Sequence, residues 1–378
     1  MRSRALVLTL ALPASLALTA CSSSADGATS AAGGPVTVTA SDTACVVSRT
    51  QADTGTITFE VTNTGSKINE FYVYGEGDRI LGEVENISPG LTRSFHMEVA
   101  EPGTYQTACK PGMVGDGIRA DFTVTGASTA PRSADQNLQG AVTEYQRFVG
   151  SQADVFLART GEFVALVKAG KVEEAKALYP VARSHWERIE PVAESFGDLD
   201  PKIDGREEVT EQGMEFTGYH RLEKDLWESG LQADSSAMAD RLMADVTELV
   251  AKAKAVQLNP LQLANGSKAL LDEIATGKIT GEEERYSHTD LYDFEGNVEG
   301  SKAAIAALRP YLAEEDPELV ETIETRGDAL GALLETHREG DGFVPYTDLT
   351  PADVKALTEA LDAFAEPVAT VAGVVAGS

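Results

Sequence analysis

The spacing of apolar residues changes character twice along the 378-residue chain. Ala5 to Leu18 is one apolar run behind Arg2 and Arg4, too short and too early for a membrane-spanning helix. From Val36 to Thr125 the period is two. VTVTA, TITFEVTN, EFYVYG, RILGEVEN, LTRSFHMEV, GTYQTAC and IRADFTV are short, rich in Val, Ile, Thr and aromatic residues, and parted by Gly, Pro and Asn. About seven strands in so short a stretch predict a small β-sandwich. Beyond residue 134 the period becomes helical, first through Leu138, Val142, Tyr145, Phe148 and Val149, then through Phe156, Phe163, Leu166 and Val167. Breaks near Gly170, Gly197 to Gly205, Gly230, Asn259-Pro260, Gly277 to Gly281, Pro317 and Gly340 to Pro345 divide this part into about eight helices. Eight antiparallel helices make two stacked four-helix bundles or one larger α-domain.

Two stretches of small residues, SSSADGATSAAGGP at 22–35 and GASTAPRSA at 126–134, read as linkers because they have nothing with which to build a core. The expected organisation is a targeting segment at 1–21, a linker at 22–35, a β-sandwich at 36–125, a linker at 126–134 and an all-α domain at 135–378. Leu18-Thr19-Ala20-Cys21 has the form of a lipobox. Cys21 is then the expected lipidated N-terminus, which tethers the chain to a membrane outside the cytoplasm, at the cell surface or in the periplasm.

The formal charge is −29, and −31 once Arg2 and Arg4 are removed. A chain this acidic repels nucleic acid and attracts cations. The three cysteines include Cys21, so Cys45 and Cys109 remain for the body of the protein. Outside the cell a pair of thiols is by default a disulfide, and a metal site is the other reading. Cys109 and Met113 in CKPGM resemble a cupredoxin's Cys and Met ligands, but a blue-copper centre also needs two His, and this domain has His96 alone.

The richest chemistry lies between His185 and Trp227. Glu187 and Glu190 are three apart, as are His220 and Glu223, so each pair is expected on one helical face. Facing helices in a bundle then bring four ligands to one point, and Asp198, Asp200 and Asp204 stand in the turn between them. The plain alternatives are a solvated acidic face for the Glu pair and a surface pair for His220. A second polar cluster, Glu282 to Glu284 with Tyr286, His288, Asp290, Asp293 and Glu295, reads as a helix start capped by Thr289 and Asp290, or as a contribution to the same cavity. His185 and His337 read as surface or core residues.

GYHRLE, RIEPVAESFGDLDPKIDGRE and YSHTDLYDFEGNVEG resemble the imelysin-like domain of the EfeO family, extracytoplasmic components of Efe-type iron uptake systems. DTACVVS, INEFYVY, ENISPG and GTYQTACKPGM resemble that family's cupredoxin-like domain. The resemblance implies two four-helix bundles for the α-domain, and metal binding by Cys45, Glu70 and Cys109, with copper or iron as the metal. It further implies two partners, a membrane iron permease and a haem peroxidase-like component, with oxidation of Fe(II) as one proposed step. Ferric iron is a hard cation suited to carboxylates and imidazole, and Glu187, Glu190, Asp204, His220 and Glu223 supply that set. Imelysin-like domains are also grouped with metallopeptidases, which makes zinc-dependent hydrolysis the alternative. Against it, the chain has no HExxH and few histidines. A third class, passive binding of another cationic or polymeric ligand, stays open.

Overall fold

The computed structural model describes residues 34–129, 135–197 and 199–377. The targeting segment, Cys21, most of the first linker, residues 130–134 and Asp198 lie outside the described residues.

Nine strands make the β-domain. They are β1 (Val36–Ala40), β2 (Cys45–Val47), β3 (Gln51–Asp53), β4 (Gly55–Asn63), β5 (Asn69–Tyr74), β6 (Ile80–Ile87), β7 (Thr92–Val99), β8 (Gly103–Cys109) and β9 (Ile118–Thr125). One sheet runs β2-β1-β4-β7 and the other β3-β9-β8-β5-β6, with β1–β4 and β3–β9 pairing in parallel. The two beyond the expected seven are β2 and β3, three residues each and too short to carry a period. Alternation along β4 turns Ile57, Phe59 and Val61 inward, where Phe59 meets Phe71 at 5.2 Å and Phe95 at 5.3 Å between ring centroids.

The helical part contains α1 (Gln136–Lys168), α2 (Val172–Glu187), α3 (Glu190–Glu194), α4 (Asp200–Ile203), α5 (Gly218–Lys224), α6 (Ser235–Ala255), α7 (Pro260–Thr276), α8 (Asp290–Glu315), α9 (Pro317–Glu335), α10 (Pro351–Val368) and α11 (Val371–Ala376). Three of the sequence breaks become helix starts with proline in the first turn, where its missing N–H costs nothing. Asn259 and Thr350 close capping boxes on α7 and α10, and the Asp316 carboxylate accepts from Leu319 N at the head of α9.

Helices α7, α8, α9 and α10 pack in a closed ring, each against the next. The other half differs from a complete bundle. It has three long helices, α1, α2 and α6, with α8 packed on α1 and α2, and short pieces α3, α4 and α5 fill the remaining side. Glycine and aspartate between residues 197 and 205 stop a long fourth helix from forming there.

Hydrogen bonds that tie the β-domain to the helices include Ile80 N to Ser195 O at 3.2 Å, Asn265 Nδ2 to His96 O at 2.7 Å and Arg79 Nη2 to Gln257 O at 3.5 Å. No helix among the described residues is long and apolar enough to cross a membrane.

Two glycines let α8 approach the end of α2. A Cβ on Gly296 would stand 2.6 Å from the Glu187 Cβ and 3.0 Å from Ser184 O, and one on Gly300 would stand 2.5 Å from Arg188 O. This close approach sets the side chains of α2 against those of α8. Gly296→Ala is expected to destabilise the protein by about 2 kcal/mol or more through overpacking. Urea denaturation measures it, and an unchanged midpoint would contradict the tight fit.

Candidate metal centre

Local sequence decides which way His220 faces. Gly218 has φ +80°, and a Cβ there would lie 2.3 Å from Ile203 O, so only glycine lets α5 start against α4. Thr217 Oγ1 donates to Lys202 O at 3.0 Å and pins the same junction. Tyr219 then enters an aromatic core, 5.5 Å from Phe163 and 5.9 Å from Phe156 between centroids, with its hydroxyl 2.7 Å from Thr160 Oγ1. With Tyr219 fixed, the next residue turns toward the acidic interior. His220 is 1% exposed and Glu223 is fully buried.

The Glu223 carboxylate is held at both oxygens. Its Oε1 accepts from Tyr286 N at 2.9 Å and Ser287 N at 2.7 Å, and Oε2 pairs with His220 Nδ1 at 3.1 Å. With Nδ1 engaged, Nε2 is the imidazole atom that remains. It has no hydrogen-bond partner and lies 3.7 Å from Asp204 Oδ1 and 3.6 Å from Glu283 Oε1. Asp204, His220 and Glu283 form one of two groups among the described residues whose donor atoms can close on a single ion; His220, Glu223 and Glu284 form the other. A buried imidazole nitrogen with no partner, faced by two carboxylate oxygens, fits a hard or borderline cation.

Two of the expected ligands are elsewhere. Glu187 ends α2 and Glu190 begins α3, so they do not share a helical face. Both turn to Lys278, whose Nζ is 2.7 Å from Glu187 Oε2 and 2.9 Å from Glu190 Oε2. Asn297 Nδ2 donates to both carboxylates, at 3.1 and 2.8 Å. Between this pair and His220 stands Arg183, with zero exposure. Its guanidinium reaches Glu187 Oε1 at 2.5 Å, Glu284 Oε1 at 2.6 Å, Asp293 Oδ1 at 3.4 Å and Glu283 Oε1 at 3.6 Å, and is ion-paired with Asp204.

Arg183 and Lys278 are functional neighbours that the sequence reading missed, and Glu283 and Glu284 appeared there only as part of a second cluster. One signal was available for Arg183. It falls in helical register with Tyr179 and Trp186, on the buried face of α2. Glu283, Glu284 and Asp293 of the second cluster join the cavity, whereas Glu295 pairs with Arg338, and the capping role is altered. Thr289 precedes α8 without a side-chain bond to it, and Asp290 Oδ1 instead accepts from Glu284 N at 3.1 Å.

A short segment is tied to the edge of this cluster. In the stretch leading into a 3-10 helix at Glu207–Gln212, three successive side chains reach residues beside the candidate ligands. Arg206 donates to Glu283 Oε2 at 2.8 Å, Glu207 accepts from Lys224 at 2.7 Å and from Tyr286 OH at 2.8 Å, and Glu208 pairs with Arg285 at 2.6 Å.

Eight carboxyls, those of Glu187, Glu190, Asp204, Glu223, Glu283, Glu284, Asp290 and Asp293, crowd this interior with two buried cations, Arg183 and Lys278. Burial drives Asp293 and Glu190 well up, Glu284 to about 8 and Asp290 to about 6. Burial acts the same way on Glu283 and Glu223, but pairing with His220 outweighs it and both end below the usual carboxyl range. For His220, burial and the Arg183 charge push down, while pairing with Glu223 and Glu283 and the charge of Glu284 lift it to about 9.

The β-domain holds a disulfide, Cys45–Cys109, with Cα atoms 5.5 Å apart. In this form neither sulfur is a thiolate ligand, so of the two readings left open for the pair the structure has the disulfide. Cys109 faces the sandwich core with its cross-strand partner Phe71. Glu70, one residue before, is turned to the other face, where Tyr72 OH lies 2.9 Å from its Oε2 and 2.7 Å from Glu85 Oε1. Cys45, Glu70 and Cys109 therefore do not converge. His96 Nδ1 is 2.9 Å from Thr58 Oγ1, and Met113 sits in an exposed turn at φ +62°.

Fold and cavity together define a β-sandwich joined to a helical domain with a buried, carboxyl-rich centre. The two parts match known families: residues 9–124 a cupredoxin-like domain and residues 141–371 imelysin, of the peptidase M75 class. The iron uptake system component EfeO of Escherichia coli O157:H7 is 36% identical over 346 residues, 90% of this chain and 91% of that one. The proteins of the same name from Escherichia coli K12 and Shigella flexneri match at the same identity and coverage. The chain belongs to the EfeO family, with an imelysin domain behind a cupredoxin-like one. Reduced auracyanin from Roseiflexus castenholzii overlaps 25% of this chain and 99% of its own at 19% identity and a TM-score of 0.22, too slight a likeness to carry a parallel.

Because the His220 value is raised, its protonated form stabilises the fold fully below about pH 6.5, and that contribution is lost as pH rises through about 9. In metal-free protein, the melting temperature of the wild type should fall relative to that of His220→Gln between pH 6.5 and 9.5, by at least about 3 °C. Thermal melts across that range test it, and parallel curves would contradict the assignment.

Proposed function

We propose that this protein captures iron outside the cytoplasm and passes it to a membrane permease, tethered through a lipidated Cys21. The observation that carries the reading is His220 Nε2, buried without a hydrogen bond and facing Asp204 Oδ1 and Glu283 Oε1 inside an interior with more carboxyls than cations. On this reading Asp204, His220 and Glu283 hold the ion, Glu223 orients the imidazole through Nδ1, and Glu284 borders the seat. The donor set, mostly oxygen with one nitrogen, suits Fe(III) and accepts Fe(II).

The name shared by the relatives, iron uptake system component, supports iron as the cargo. The family likeness supports two partners, the permease and a haem peroxidase-like component. Hydrolysis by zinc fits less well, since a catalytic zinc seat usually takes two or three imidazoles and this cavity supplies one. Copper held by Cys45 and Cys109 as thiolates would require their disulfide to be reduced first.

Two measurements test the reading. In competition titrations against nitrilotriacetate, Glu283→Gln and His220→Ala should each weaken Fe(III) binding at least about tenfold. Glu190→Gln, whose parent carboxylate is held by Lys278, should stay within about threefold of wild type. Equal losses in all three would remove the distinction between the two halves of the cavity. The same titration at pH 6 and pH 8, corrected for the chelator, should show tighter binding at pH 8. The gain is about tenfold per pH unit for each proton the ion displaces, His220 being the group that must lose one. Affinity independent of pH would refute binding at this imidazole.

A further inference from the structure

We propose that Arg183 is the resident counter-cation of this seat, which an incoming metal ion must push off Asp204 and Glu283, so that the guanidinium sets how tightly the ion is held and helps expel it. The inference rests on the metal seat described under the proposed function, and it adds the element that regulates release.

The case is made by shared atoms. Asp204 Oδ1, which lies 3.7 Å from His220 Nε2, is the same oxygen that is ion-paired with Arg183 Nη1. Glu283 Oε1 lies 3.6 Å from His220 Nε2 and also 3.6 Å from Arg183 Nη2. An ion drawing these oxygens and Nε2 to about 2 Å would stand within a few ångströms of the guanidinium. Two positive centres at that distance, away from bulk water, repel strongly. Neither carboxylate can serve both cations fully at once.

The cavity also provides somewhere for Arg183 to go. It already touches Glu187 and Glu284 at 2.5 and 2.6 Å, and Asp293 Oδ1 lies 3.4 Å from its Nε. Both Asp293 oxygens lack hydrogen-bond partners although the residue is 1% exposed. A small rotation away from His220 exchanges Asp204 and Glu283 for Asp293 and keeps the guanidinium compensated in both positions. Return of Arg183 to Asp204 then competes with the bound ion, so capture is reversible without unfolding the domain.

The experiment compares Fe(III) binding, buffered with nitrilotriacetate, by full-length wild type, Arg183→Gln and Arg183→Lys, alongside melts with and without the ion. Arg183→Gln should bind at least tenfold more tightly than wild type and show a larger metal-induced rise in melting temperature from a lower starting point. Arg183→Lys, which keeps the charge, should remain near wild type. If folded Arg183→Gln binds as wild type does, or more weakly, this inference is overturned and the metal seat stands. If wild type itself binds no ion, both fall. Should Arg183→Gln not fold, a structure of the iron-loaded wild type decides. Arg183 displaced from Asp204 onto Asp293 supports the inference, and Arg183 still paired with ligating Asp204 and Glu283 overturns it.

Discussion

Charge balance around one guanidinium governs the interior of the helical domain. Arg183 has zero exposure and meets carboxylates from four separate stretches: Glu187 on its own helix, Asp204 after α4, Glu283 and Glu284 before α8, and Asp293 within α8. Removing one partner from a buried ion pair typically costs about 3–5 kcal/mol, so each stretch is tied in place through that single side chain. Lys278 does the same for Glu187 and Glu190 at the far side. Carboxyls still outnumber these cations, and burial, followed by the charges of neighbouring acids, raises Glu284, Asp293 and Glu190 above the usual carboxyl range.

The scaffold separates rigidity from chemistry. Long helices α1, α2, α6 and the ring of α7 to α10 bury the apolar core, while the donor residues sit on short pieces laid across one side. Short segments can bend so that residues from separate elements meet, which a straight helix cannot do; Gly218 removes the Cβ that would hold α5 off α4, and Gly296 the one that would hold α8 off α2. His220 gains direction from two sides: Tyr219 is locked into aromatic packing behind it, and Glu223 holds its Nδ1 in front. An imidazole so fixed keeps Nε2 turned toward Asp204 and Glu283.

The β-domain contributes a braced framework. Its disulfide joins β2 to β8, Phe59, Phe71 and Phe95 fill its core, and hydrogen bonds from Ile80 and Asn265 seat it on α3 and α7. A cupredoxin-like fold does not bring a cupredoxin's copper chemistry with it, since the donors must also be present and face one point. Here one histidine is bound to Thr58, the cysteines are joined, and Glu70 is on the opposite face of its strand.

Much of this was written locally in the chain. Period two followed by a helical period announced a β-sandwich before an α-domain, because both periods depend only on residues a few positions apart. The three-residue spacing of His220 and Glu223 likewise placed them together on one helix. Glu187 and Glu190 share that spacing but not a helix, because α2 ends at Glu187 and Pro191 opens α3, a break that the proline itself signals; packing then brings both carboxylates to Lys278 rather than to His220. Which acids would meet His220 was decided by packing alone. Glu283 lies 63 positions from His220 and reaches it only because α2, α5 and the segment before α8 converge on Arg183. In a chain with 60 acidic residues a buried carboxylate reads the same as a solvated one. Periodicity is a property of neighbours, whereas charge compensation is a property of a closed volume, and that volume exists only once the helices have packed.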